Sequence, residues 1–314
     1  MDDSENSRAS GRQRPRLDAA ALARHRAEVA AAARPGETFE EAALRMIRDA
    51  AQAPPPERPK SSRAGAMPAW PETLRCVPNE ILRSALFNAK NRNMKRIYLH
   101  EQDIAVLFNG RITFTGWELR QDDETVWMQL IHLAKQVPPG EPVEFSPRRF
   151  CESIGWAICE KSYVRLRGCL TRMQANSLSV YSDRLKSGIS LSMVPKFAWQ
   201  DSERSALKKY RVQVAPELVA LFDGGHFSRI EWEQRLSLPV GVATWLHGYF
   251  STHKAPYPVK LETIKQGCGI TVGHPKKLRD IVADALGELV QVGFLESFEI
   301  VGDVVHVRRR GLQP

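Results

Sequence analysis

The most constraining feature of this chain is an order of segments that occurs twice. In the first copy an apolar, Trp-led helix, Trp127 to Gln136, passes through Pro138, Pro139 and Gly140 into the short strand Pro142-Val143-Glu144-Phe145. In the second, Trp245 to His253 passes through Ala255 and Pro256 into Pro258-Val259-Lys260-Leu261. After each strand come a short amphipathic segment, a break, a longer basic helix and a two-stranded alternating run. Strand, helix, helix and hairpin in this order predict an α+β chain of tandem winged-helix domains, with a helical or partly disordered N-terminal extension.

The basic helix of the first copy is expected from Glu160 to about Ala175. At about 100° per residue, Tyr163, Leu166, Cys169, Leu170 and Met173 gather on one face and should pack on a core. Lys161, Arg165 and Arg172 fall on the other side with Gly168 between them, a stripe that reads as solvent-facing and free of acid. Period-two apolarity in Leu178-Ser179-Val180 and Ile189-Ser190-Leu191, around a loop Arg184 to Gly188 that carries Lys186, predicts a hairpin with a basic tip, the wing.

In the second copy, Leu261, Ile264 and the Gly267/Gly269 pair correspond to the segment in the first copy that starts at Ser146-Pro147 and turns at Gly155-Trp156. Pro275 suits the first position of the long helix, where its missing amide hydrogen costs nothing. Leu278, Val282, Ala285 and Leu289 should face inward, leaving Lys276 and Lys277 at the solvent-facing start. Gly302-Asp303 is turn chemistry between two alternating runs, and Arg308-Arg309-Arg310 follow. The strand-like Tyr210 to Val214 and the short helix Pro216 to Phe222 are expected at the head of this domain.

Upstream, Met1 to about Arg16 has the composition of a disordered arm. Two helical stretches follow, the second starting at Thr38 with Glu41 as a capping box and Phe39, Ala43, Met46 and Ile47 on one face. Ala53-Pro54-Pro55-Pro56-Glu57-Arg58-Pro59 then stops any helix. The expected organisation is residues 1–52 as N-terminal arm, 53–69 as Pro-rich linker, 70–202 as the first winged-helix domain and 203–314 as the second.

A chain of 314 residues with 43% apolar content has room for about two ordinary cores. Its net charge of +9 favours an anionic partner, since basic surface raises the local concentration of phosphate. No apolar run is long enough to span a membrane, and no secretory signal is seen at the N-terminus, so the expected location is cytoplasmic. Five scattered cysteines without a Cys-x-x-Cys spacing predict reduced, mostly buried thiols and no zinc site.

In a helix-turn-helix the second helix enters the major groove, where arginine can pair with guanine while other cations neutralise phosphate. The candidate DNA contacts of the first unit are Arg148 and Arg149 on its short helix, Lys161, Ser162, Arg165 and Arg172 on its long helix, and Arg184 and Lys186 in the hairpin loop. Those of the second are Lys260, Thr271, His274, Lys276, Lys277 and Arg279, with Arg308 and Arg309 near the chain end. Asp122-Asp123-Glu124 suit the positive end of the helix that follows them better than they suit a metal-dependent nuclease. There is no phosphate loop and no paired nucleophile and base, so neither an enzyme nor a cofactor is expected.

The chain resembles the TrfA family of plasmid replication initiators from about Trp70 to Val307. The resemblance is carried by Trp70-Pro71-Glu72-Thr73 with Pro78-Asn79, Arg83-Ser84-Ala85-Leu86-Phe87, and Thr115-Gly116 with Glu118-Leu119-Arg120. Gly140-Glu141-Pro142, Ser182-Asp183-Arg184 and Tyr257-Pro258-Val259-Lys260-Leu261-Glu262-Thr263 extend it. It implies paired winged helices that bind directly repeated origin sequences, iterons, as a monomer. It also implies opening of an adjacent AT-rich segment, recruitment of host DnaA, replicative helicase and sliding clamp, and a homodimer as the inactive state that limits copy number. Where the family's best-known member has a clamp-binding Gln-x-x-Leu-Phe peptide, this chain reads Ser61-Ser62-Arg63-Ala64-Gly65-Ala66-Met67-Pro68, so direct clamp binding by that route is not implied. The rival expectation is a winged-helix transcriptional repressor, which needs the same duplex binding and no origin opening.

Overall fold

The computed structural model of the protein describes residues 67–184, 186–200 and 209–310, with residues 31, 34, 37, 38, 42 and 45. The chain divides into two compact units, Met1–Arg63 and Ala64–Pro314. In the first, the Ala42 amide donates to the Thr38 carbonyl at 3.0 Å and Arg45 pairs with Glu37 at 2.8 Å, in keeping with a helix starting at Thr38. The disordered arm, Glu41 of the capping box, the apolar face of Phe39, Ala43, Met46 and Ile47, and the Pro-rich run lie outside the described residues.

The second unit opens with β1 (Leu74–Pro78), α1 (Asn79–Leu82), β2 (Phe87–Asn88), β3 (Tyr98–Ile104), β4 (Gly110–Trp117) and β5 (Leu119–Arg120). The leading helix of the first copy, α2 (Gln121–Ala134), begins earlier than its apolar stripe suggested and takes the acidic run into its first turn. It is buried on nearly every side, so polar residues within it need partners. Next come β6 (Val143–Phe145), α3 (Pro147–Ser153), α4 (Glu160–Gln174), β7 (Ser177–Ser182), β8 (Ser187–Leu191), β9 (Lys196–Gln200) and β10 (Lys209–Gln213).

A 3₁₀ segment over Pro216–Gly225 leads to β11 (Phe227–Glu231), which pairs antiparallel with β1, and to α5 (Trp232–Ser237). The second copy then runs α6 (Val242–Ser251), β12 (Val259–Lys260), α7 (Leu261–Gly267), α8 (Pro275–Gln291), β13 (Leu295–Val301) and β14 (Val304–Arg309).

The two copies share more than element order. β6 pairs with β10 and β10 with β9; β12 pairs with β14 and β14 with β13. In both sheets the lone strand lies against the second strand of the hairpin. Both short helices are seven residues long, and each is followed by one capping residue and then a glycine with left-handed backbone, Gly155 at φ 68° and Gly269 at φ 66°. Glycine alone enters that region without steric cost, so the turn is reproduced along with the sheet.

The hairpin Ser177–Leu191 forms, but as the outer half of a four-stranded sheet ordered β3-β4-β7-β8. The hairpin equivalent to β13–β14 is β9–β10. Alternation identifies a hairpin and does not say which sheet it joins. Tyr210 and Val212, expected in the second domain, are buried in the core of the first copy, and the boundary expected after residue 202 falls between β9 and β10.

Two apolar cores result. Around Trp127 gather Leu130, Phe150, Leu166, Leu170, Phe197, Tyr210 and Val212. Around Trp245 gather Phe250, Ile264, Leu278, Val282, Leu286, Leu289 and Val305. The inward stripes expected on both long helices are buried, with Tyr163 half-buried at the edge. Between the cores, Arg235 of α5 donates to Glu124 at 2.8 Å, to Gln121 at 3.2 Å and to the Thr244 carbonyl at 3.0 Å. The Trp245 indole donates to the Ser84 carbonyl at 3.0 Å. A methyl group at Gly267 would lie 2.5 Å from Leu107 and 2.8 Å from Trp245, so that helix needs glycine for its close approach.

Candidate nucleic-acid interface

The outward face of α4 is built by helical spacing: Lys161, Val164, Arg165 and Gly168 lie at i, i+3, i+4 and i+7 and share one side. Lys161 is exposed at the helix start, and Val164 keeps 59% of its surface in water. Cys159 caps the helix and is exposed, while the other four thiols are buried. The Ser162 hydroxyl and the Ser162 and Lys161 amides hold the Cys159 thiol below its ordinary pKa.

This stripe is not free of acid, because α2 supplies it. Arg165 approaches Asp122 Oδ2 at 3.3 Å, and its guanidinium lies 4.0 Å from the centre of the Trp156 ring. Arg172 donates to Asp123 Oδ1 at 2.7 Å. Arg96 spans both acids, donating to Asp122 Oδ1 at 2.9 Å and to Asp123 Oδ2 at 2.8 Å. Burial works against the Asp122 charge, but Arg96, Arg165 and Arg172 together outweigh it and hold that carboxyl below the usual range. Asp123 is buried deeper and has Asp122 beside it, which pushes its carboxyl up against the pull of Arg172 and Arg96. Asp123 also accepts the Arg120 amide at 2.9 Å, so the acidic run caps α2 as expected and in addition fastens α4 to it.

Other expected contacts are likewise engaged. Arg184 pairs with the buried Glu80 at 3.0 Å. Arg279 donates to the Ile300 and Gly302 carbonyls, each at 2.7 Å, and so braces the β13–β14 turn. Arg309 donates to the His253 carbonyl at 2.9 Å and lies 4.7 Å from the Phe294 ring centre, closing the end of α6. Arg148 and Arg308 make exposed pairs with Glu152 and Glu296. Such pairs are worth little and yield readily to a phosphate.

Arg149, Lys161, Lys186, Lys260, Thr271, His274, Lys276 and Lys277 are exposed, and Ser162 is half-buried. Lys186 sits in the β7–β8 turn at φ 50°, on the four-stranded sheet. In the second copy the cations gather at the start of α8, since Asp280 and Asp284 occupy exposed positions further along. The helix start is also where backbone amides point at an anion.

Arg96, and the packing of Asp122 and Trp156 against Arg165, are parts of this surface that residue patterning missed. Arg165 and Arg172 stand two helical turns apart, and only their long side chains bring them together on two adjacent acids of a packed neighbour.

The family model described as TrfA protein matches residues 64–309. A curated relative, the plasmid replication initiator protein TrfA of Escherichia coli, is 37% identical over 242 residues, which is 76% of this chain and 63% of the relative. The chain therefore belongs to the TrfA family, and it spans less than two thirds of that relative's length. Two crystal structures of domains 2 and 3 of RctB align at 12% identity. One has a TM-score of 0.48 over 74% of this chain and 96% of the other; the second has 0.46 over 72% and 93%. At these scores the likeness is too slight to argue from.

Proposed function

We propose that the chain is a plasmid replication initiator whose two units are winged helices, roughly residues 121–213 and 242–309, that read directly repeated origin DNA as a monomer. The observation that carries the reading is the repeated sheet order joined to an exposed basic start on the second helix of each unit, in a chain of the TrfA family. In this reading α4 and α8 enter successive major grooves, about one helical turn apart. Lys161, Ser162 and Arg165 meet the duplex from the first; Thr271, His274, Lys276 and Lys277 meet it from the second. Arg149 and Lys260 neutralise phosphate, and β9–β10 and β13–β14 are the wings.

The contacts of the two units differ, so one monomer recognises a site with direction, and such sites repeat in tandem. Opening of an AT-rich neighbour, recruitment of DnaA and helicase, a dimeric inactive state and action without catalysis belong to the same proposal. They are supported by the family. The acidic run supports the non-enzymatic reading, since Arg96, Arg165, Arg172 and Arg235 engage it.

The test uses the full chain and a supercoiled plasmid that carries tandem direct repeats beside an AT-rich tract. Binding should make thymines of that tract reactive to permanganate. Specific binding with no such reactivity would leave a duplex-binding repressor in place of an initiator.

A further inference from the structure

The guanidinium of Arg165 is held from two directions before any ligand arrives. Trp156 lies beneath it, 4.0 Å from ring centre to guanidinium carbon, in a residue placed by the turn after α3. Asp122 Oδ2, from the first turn of α2, lies 3.4 Å from Nε and 3.3 Å from Nη2. Asp122 is itself fixed by Arg96 at 2.9 Å. The Arg165 side chain nevertheless remains 35% exposed.

A guanidinium carries five N–H groups in a planar fork. Asp122 takes the edge formed by Nε and Nη2, which leaves the Nη1–Nη2 edge to point away from the acid. A flat cation resting on an indole, with one edge engaged, keeps few rotamers. The freedom lost on pairing with a planar acceptor has been removed in advance. Guanine presents such an acceptor in the major groove, the O6 and N7 pair.

We infer that Trp156 and Asp122 are positioning residues that present the outer edge of Arg165 to one guanine, so that a single base pair is read through three elements of the first unit. The inference rests on the docking of α4 in the major groove proposed above. It separates Arg165 from its neighbour Lys161, a point charge that serves any sequence, and from Arg172, whose acid is the more deeply buried Asp123.

The probe is a duplex recovered from a random pool by repeated rounds of binding to the full chain, with each guanine replaced singly by 7-deazaguanine, which lacks N7. With the wild-type chain, one guanine should be sensitive, its replacement weakening binding about fivefold, the equivalent of one hydrogen bond. In Arg165→Ala that sensitivity disappears. In Trp156→Leu, and in Trp156→Phe to a smaller extent, Arg165 is present but unheld, and sensitivity at the same guanine shrinks while the other guanines are unaffected. Lys161→Ala weakens all duplexes alike and keeps the sensitivity.

Sensitivity undiminished in both Trp156 variants would overturn the positioning role. No guanine that depends on Arg165, in a chain whose Lys161→Ala variant still loses affinity, would overturn the inference and leave the docking of α4 standing. If neither Lys161→Ala nor Arg165→Ala changes affinity, the docking itself is wrong and the inference falls with it.

Discussion

Arg235 and Glu124 meet at 2.8 Å with both side chains almost wholly out of water. Burial pushes the Glu124 carboxyl up and Arg235 pulls it back. The pair joins the first turn of α2 to α5, and the same guanidinium reaches the Thr244 carbonyl of α6. It therefore fixes how the two cores are carried in one body. Removing one partner strands a buried charge, and Arg235→Met should cost about 3 to 5 kcal/mol in urea unfolding. Replacing both, with Glu124→Leu added, should recover part of that loss. A double variant less stable than the single one would show that the loss does not come from a stranded charge.

The paired turns can be compared with each other. Alanine at Gly155 or Gly269 must adopt a left-handed backbone, at a cost of about 1 kcal/mol. At Gly155 the new methyl has room, its nearest neighbour being Leu236 at 3.9 Å. At Gly269 it would meet Asn88 Cβ at 2.9 Å and Ala85 Cβ at 3.2 Å. Gly269→Ala should therefore be the more destabilising in a thermal melt, and equal shifts would show that the packing around the second turn is looser than described.

Charge reversal tells the two hairpins of the first copy apart. With β9–β10 as the wing, Lys209→Glu should weaken duplex binding and lower the salt slope by about one unit, as loss of a phosphate contact does. Lys186→Glu, in the β7–β8 turn, should change neither. The reverse result would restore the hairpin first expected from the sequence.

His247 sets an acid limit. Its ring is fully buried against Phe294, 4.4 Å between centres, and burial, with Arg235 and Arg309 nearby, pushes its pKa down to about 3. The unfolded chain takes up a proton near pH 6.5 and the folded chain only near 3, so acid favours unfolding across that interval. Stability should fall by up to about 1.4 kcal/mol per pH unit below 6.5 from this group. His247→Phe should flatten the slope between pH 6.5 and 5 in urea titrations. An unchanged slope would remove His247 as its source.

What was legible in the sequence followed from local periodicity. The inward faces of α4 and α8, the Pro275 start, the Gly302-Asp303 turn and the order of segments within each copy depend on residues close together in the chain. What was not legible depends on distant pairing. β10 finds β6 some 65 residues back in the chain, and β1 finds β11 some 150 residues away. The same holds for charge. Arg165 and Arg172 look like a free cationic stripe until α2 is packed beside them, and Arg309 looks like a loose tail residue until α6 ends against it. Exposed cations at helix starts, Lys161, Lys276 and Lys277, were readable because no neighbour covers them.

In the proposed reading one chain carries two reading units with the same architecture and different contacts. Hydroxyl-radical footprinting of the full chain on a single recovered site, with the bound stoichiometry measured on the same sample, tests it most directly. One monomer per site, two protected patches about one helical turn apart and no two-fold symmetry in the protected sequence are expected. Protection related by a two-fold axis, with two chains bound, would contradict it.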